Sequence, residues 1–238
     1  MPNFHKQRLI KRIFKILFTL FIVAVNAILL WRVFFSTSLP SSIEHLHPNA
    51  PLASAYAQKG DALVLRYQNN YSTTYAENRM GYFSNSEAIF IPEANQVQVV
   101  VRYNNKTLKS LATDYGLAET PDKSLDWFDF TLVKTTDITP QDPNDNGLAE
   151  TLVRERFHPT EVLRDESSLY TFYRLVFDGV SVDPNTDGVF LDAYYLGDVN
   201  YEQSAYGTLC LYDCRMKWED SALDSTEKKA LAAFSLQS

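Results

Sequence analysis

Two short stretches place side-chain oxygens at alternating positions ahead of a glycine: Asp142-Pro143-Asn144-Asp145-Asn146-Gly147 and Asp183-Pro184-Asn185-Thr186-Asp187-Gly188. Both match the opening of a calcium loop, in which such oxygens wrap a hard cation. A calcium loop closes with a bidentate acid at position twelve. Here that position holds Val153 in one stretch and Tyr194 in the other. Asp, Pro, Asn and Gly are also the standard residues of tight turns. Turn chemistry is therefore the first reading of both. Asp183, Asn185 and Asp187 are the candidate ligands if the second loop takes surface calcium, and that loop leads straight into a strand.

The other reactive residue types form no constellation. His5 lies in the basic start, His45 and His47 lie in a polar stretch, and His158 stands beside Pro159. Glu44-His45-x-His47 offers metal donors, but a flexible tether supplies no orienting partners for them. The chain holds no Gly-x-Ser-x-Gly elbow, phosphate loop, H-E-x-x-H helix or dinucleotide fingerprint, and no cofactor is expected. Cys210 and Cys214 stand four apart, too far for a disulfide on an extended strand but within reach across a tight turn. Asn70-Tyr71-Ser72 and Asn105-Lys106-Thr107 are formal glycosylation sequons, without meaning in a bacterium that lacks the machinery. Carboxylates are plentiful, and spacing alone sets no two of them across a cleft.

The elements that must position these groups begin with an asymmetry of charge. Of 238 residues, 22 are Lys or Arg and 29 are Asp or Glu. Six of the basic residues precede Ser36 and no acid occurs before Glu44, so everything after residue 35 carries a formal −13. A body that acidic repels phosphate backbones, which excludes nucleic acid as a natural partner. The basic start leads into ILFTLFIVAVNAILLW, an uncharged run from Ile16 to Trp31. Residues 13–35 as a helix measure ~35 Å at ~1.5 Å per residue, enough for a ~30 Å hydrocarbon core. Five basic residues precede this run and one follows, which places the N-terminal start in the cytoplasm. A cleaved signal peptide is the rival, yet Val33-Phe34-Phe35 is bulky where a peptidase needs small side chains. The expectation is an uncleaved signal anchor with its partner the lipid bilayer. That gives a basic start over 1–12, a span over 13–35, a polar tether over 36–59 and an outer domain over 60–238.

The outer domain reads as mainly β. Val97, Val99, Val101 and Tyr103 alternate with Gln98 and Arg102, the two-residue period of a half-buried strand. Similar runs occupy 62–67, 88–91, 127–134, 169–177, 189–196 and 207–212. Asp178-Gly179 between YRLVF and VSV is a hairpin signal. Leu108, Leu111, Ala112 and Tyr115 mark a short helix behind Thr107 and ahead of Gly116. Asp224 and Glu227 stand in capping-box spacing at the start of a tail helix with Leu231 and Phe234 on one face. The expected fold is an N-terminal transmembrane helix plus an antiparallel β-sandwich ectodomain with one or two short packed helices. A barrel fits the same pattern.

KRIFKILFTLFIVAVNAILLWRVFF, FIPEANQVQVVVRYNN and GVFLDAYYLGDVNYEQSAYGTLCLYD together resemble uncharacterised single-pass membrane proteins of clostridial, Gram-positive bacteria. The resemblance implies a plasma-membrane protein facing outward and carries no activity, ligand or catalytic residue. Two functions are expected from the residues. The first is a non-catalytic binding or assembly module with an envelope or membrane-protein partner. The alternative is an extracytoplasmic hydrolase, since paired carboxylates suffice for glycoside cleavage.

Overall fold

The computed structural model describes residues 3–68, 83–136, 153–198, 205–212 and 217–236. The chain divides into two compact units, Met1–Ser38 and Leu39–Ser238. The first is one helix, α1 (Asn3–Thr37). Its Lys11–Trp31 portion has mean hydropathy 2.5 and is long and apolar enough to cross a membrane. No Gly or Pro interrupts it, and a span in lipid must satisfy every backbone group within itself.

The second unit is built on two antiparallel sheets. One has six strands in the order β10-β1-β2-β3-β7-β6: Trp218–Ser221, Leu65–Gln68, Phe83–Ile91, Gln96–Asn104, Tyr170–Asp178 and Glu161–Glu166. The other has four in the order β5-β4-β8-β9: Arg154–Phe157, Phe128–Thr135, Gly188–Tyr195 and Gly207–Tyr212. Val97, Val99, Val101 and Tyr103 of β3 and Tyr173, Leu175 and Phe177 of β7 share one core with residues of the smaller sheet. Those residues include Phe128, Phe130 and Leu132 of β4, Leu191 of β8 and Leu209 of β9. The two-residue period sends these side chains to one face of each sheet.

Each apolar run expected to be a strand forms one. The three strands that escape the pattern are β5 (RERF), β6 (EVLRDE) and β10 (WEDS). Each is an edge strand, where charge blocks pairing with another chain and burial gives no apolar rhythm. Asp178-Gly179 does not close a hairpin. Gly179 takes the left-handed φ of 76° the signal implied, but β7 ends there and the next strand, β8, lies in the other sheet. The Val180 N–H then bonds the Asn95 carbonyl at 2.8 Å.

The expected tether is the main correction. Within 36–59 the chain forms α2 (Ser41–Glu44) and α3 (Ala50–Lys59), and the compact unit starts at Leu39. Ile43 and Leu52 are fully buried and Leu46 nearly so. Together with Leu65, Ile89 and Ile91 and with Leu223 and Leu231, residues Leu46, Leu52, Ala53 and Ala55 make a second core on the far face of the larger sheet. Asn49 of the stretch caps α3, and the His47 backbone bonds inward to the sheet. The domain boundary therefore moves from 60 to 39.

The helix α4 (Thr107–Asp114) buries Leu108, Leu111 and Ala112 as its spacing required. Thr107 is its first helical residue, not its N-cap, and is fully buried. Past its end, Gly116 at φ 63° lets the Leu117 N–H return to the Ala112 carbonyl at 2.8 Å. The helix α5 (Ser225–Ser235) carries the expected capping box between Asp224 and Glu227.

Candidate functional site

The polar residues gather under α2 and α3, on the face of the larger sheet turned away from the main core. In β3, the residues alternating with the core valines are Gln96, Gln98 and Val100, and all three are buried. The sequence reading put Gln98 on a solvent face. The helical segment from 39 to 59 covers that face, so both sides of β3 are dry. Each buried amide must then find partners within the protein.

Arg174 of β7 is the centre of the network and is wholly buried. It pairs in register with Val100, whose other neighbour is Glu87 of β2. The guanidinium reaches across Val100 to Glu87 Oε2 at 3.0 Å. It also donates to the Ile43 carbonyl through Nε at 2.9 Å and Nη2 at 2.7 Å, and to the Glu44 carbonyl at 3.3 Å. These are the orphan carbonyls at the end of α2, where a cation is favoured. Burial raises the pKa of Glu87 above the ordinary carboxylate value despite the opposing pull of Arg174. Burial likewise lowers that of Arg174. Desolvation outweighs attraction on both sides of the pair, as is common for dry ion pairs. Tyr67 beside them is pushed up to about 12 by burial, with Glu87 and Glu227 adding to it.

From Arg174 a hydrogen-bonded chain runs along the strand. Arg174 Nη1 donates to Gln98 Oε1 at 3.3 Å. The Gln98 carboxamide accepts from the His47 N–H and donates to the His47 carbonyl, both at 2.9 Å, pairing with backbone as a strand would. Gln98 Nε2 donates to Gln96 Oε1 at 2.9 Å, and Gln96 Nε2 donates to Asp178 Oδ1 at 2.7 Å and Asn49 Oδ1 at 2.9 Å. The same Asn49 oxygen accepts the Leu52 N–H and so caps α3. The links to His47 and Asn49 join the covering segment to the sheet.

His45 and His47 part company. His47 Nε2 lies 2.6 Å from Glu161 Oε2 on the edge strand β6. His45 Nδ1 lies 3.7 Å from Asp224 Oδ2 at the start of α5. One donor atom each from His45, Asp224 and Glu227 falls within 4.8 Å of the others, a grouping that a divalent cation could use. Glu44 is not part of it. The carboxylates already serve the helix: Asp224 Oδ1 accepts from Thr226 and Glu227 N–H at 2.7 and 2.8 Å. Glu227 Oε2 accepts from Asp224 N–H at 2.8 Å. Those N–H donors, led by that of Glu227, hold the Asp224 carboxyl below the usual carboxylate range. A cation here would also face the positive end of a helix dipole.

The second calcium-like loop is a turn closed on itself. Asp183 Oδ1 accepts the Asn185 N–H at 2.9 Å and its Nδ2 at 3.1 Å. Asp187, almost fully buried, accepts the Asp183 N–H on Oδ2 at 2.8 Å. Tyr194, at position twelve, bonds Asp192 within β8 rather than turning to the loop. The first calcium-like loop, 142–147, lies outside the described residues, as do Cys214 and the sequon at Asn70. Cys210 is buried in β9. The Asn105 sequon has its amide committed: Nδ2 donates to the Ser167 and Ser168 carbonyls and Oδ1 accepts from Thr171.

Sequence reasoning missed Arg174, Glu87 and Gln96 as a unit. An arginine in the middle of YTFYRLVFD, an otherwise apolar strand, is the signal that points to it, because arginine is rarely buried unpaired. Chemically, the assembly supplies a charged and amide-rich joint rather than an exposed nucleophile or base. Comparison with protein-family models, curated proteins and solved structures finds no match for this chain.

Proposed function

We propose that the chain is a single-pass plasma-membrane protein whose residues 13–35 span the bilayer as a signal anchor. In this reading residues 39–236 form a β-sandwich body outside the cytoplasm that serves as a non-catalytic binding or assembly module. The observation that carries the reading is the helix Lys11–Trp31, uncharged from Ile16 onward and with mean hydropathy 2.5, none of which is buried. Exposed apolar surface on that scale is stable in hydrocarbon and not in water. The basic side chains grouped before it favour the cytoplasm for the N-terminus. The resemblance to clostridial single-pass proteins agrees with this orientation.

A core shared by two antiparallel sheets supports the sandwich. For the binding role, the support is where the polar groups are spent. The dry network of Arg174, Glu87, Gln96 and Gln98 holds the segment that follows residue 38 against the sheet, and the carboxylates of Asp224 and Glu227 hold it against α5. A body carrying a formal −13 suits an envelope or membrane-protein partner with a basic face. The test is protease added to intact protoplasts carrying a C-terminal tag, followed by chemical crosslinking of the native protein. Loss of the tag and capture of a basic partner are expected. A tag protected until lysis would overturn the topology, and turnover of a wall glycan without a partner would overturn the binding role.

A further inference from the structure

We propose that the anchor helix pairs with a second copy of this chain along the stripe Ile16, Thr19, Val23, Asn26 and Leu30. The inference rests on the reading of residues 13–35 as a membrane span. Asn26 is two residues from the middle of that span, ~3 Å from it at ~1.5 Å rise per residue. No headgroup or water is within reach at that depth.

The two polar side chains of the span differ in how they are satisfied. Thr19 donates its hydroxyl to the Lys15 carbonyl one turn back, at 2.9 Å. That bond completes its donor capacity within its own helix. Asn26 donates one N–H to the Ile22 carbonyl at 2.8 Å. A carboxamide has two N–H donors and an oxygen with two lone pairs. One N–H and the oxygen are thus left over, and no described residue meets them. A polar group left unpaired in hydrocarbon is costly.

A carboxamide is its own complement. Across a two-fold axis each Asn26 can give its spare N–H to the oxygen of the other, which satisfies both copies with one geometry. That self-complementarity selects an identical chain over an unrelated helix. The surrounding residues fit the same geometry. Positions 16, 19, 23, 26 and 30 alternate three and four apart, the seam spacing of a left-handed helix pair. At ~3.5 residues per turn Phe14, Phe21 and Trp31 fall ~150° around the helix from Asn26. The seam therefore bears only Ile, Thr, Val, Asn and Leu, and the bulky rings face lipid. Polar side chains between spanning helices contribute modestly but measurably to association.

The test places the full chain, labelled in separate batches with donor and acceptor dyes, into phosphatidylcholine–phosphatidylglycerol vesicles. Energy transfer is followed as lipid is added to dilute the protein in the bilayer. For the unaltered chain and for Asn26→Gln, transfer above random mixing is expected. For Asn26→Leu the dissociation constant in lipid should rise about 3- to 20-fold. Phe21→Leu, on the far side, should leave pairing unchanged. Random-level transfer in the unaltered chain, or equal transfer in Asn26→Leu, would overturn the pairing while leaving the anchor intact. Alkaline carbonate extraction separates the two readings: release of the unaltered chain from the vesicles would overturn the anchor itself.

Discussion

The Arg174 guanidinium donates twice to a single carbonyl, that of Ile43, which precedes it by 131 residues. Through this contact a strand in the middle of the body holds the end of a one-turn helix near the start of the chain. Water cannot stand in for either partner, because Arg174 and Ile43 are both fully buried.

Arg174→Met should therefore be among the most damaging substitutions in the body. It leaves Glu87 charged in a half-dry site and frees the Ile43 carbonyl. Removing one partner of a buried pair typically costs about 3–5 kcal/mol. Adding Glu87→Gln to Arg174→Met should restore part of that, since the orphaned charge goes with it. Urea unfolding of residues 39–238 measures both, and equal losses in the single and double variants would contradict the account.

The two carboxyl groups bordering the joint should have opposite pH signatures. Burial raises Glu87, so its contribution is present below the ordinary carboxylate pKa and is lost as pH rises through the folded value. N–H donors lower Asp224, so its contribution is present above the ordinary pKa and is lost as pH falls through the folded value. Glu87→Gln should gain on the unaltered protein between pH 4 and 7. Asp224→Asn, which keeps a capping oxygen, should lose on it over the same interval. Chemical denaturation at the two pH values gives both signs.

Residues 39–59 should be indispensable to the body. Leu52→Ala removes a fully buried side chain from the second core and should cost about 2–5 kcal/mol. A fragment beginning at residue 60 should lose cooperative melting that a fragment beginning at 39 retains. Identical calorimetric transitions would return 39–59 to the role of a tether.

Calcium should not bind tightly at Asp183, Asn185 and Asp187. The carboxylates of Asp183 and Asp187 accept N–H donors of the turn itself, and no bidentate acid closes the loop. Titration calorimetry of residues 39–238 should find nothing tighter than ~10⁻⁴ M. Micromolar affinity that vanishes in Asp183→Ala would make this loop a site. Gly179→Ala, at the next turn upstream, should cost about 1–2 kcal/mol because φ is 76° there.

How much of this was legible in the sequence depended on whether a residue's partner was close along the chain. Val97, Val99 and Val101 declared β3 by alternation, and Asp224 with Glu227 declared α5 by spacing. Both are local rules. Strands β5, β6 and β10 were silent because their charges answer to exposure at sheet edges, not to a core. His45 beside Asp224, and Arg174 beside Ile43, were out of reach because nothing local links them. The stretch STSLPSSIEHLHPNA looked solvated for the same reason. Its serines, histidines and asparagine resemble those of a linker until the amides and carboxylates they meet are known.

Those long separations also fix an order in time. The segment 39–59 is made before the strands it covers, yet the Leu46 N–H meets Glu227 from 181 residues later, in α5. Until that helix emerges, Leu46 and Leu52 lack Leu223 and Leu231, which share their core. The second core is thus closed only after α5 has been made, and the first part of the body to appear waits longest for its full set of contacts. A chain in the course of synthesis therefore carries Leu46 and Leu52 without their full cover for as long as the residues between them and α5 take to appear.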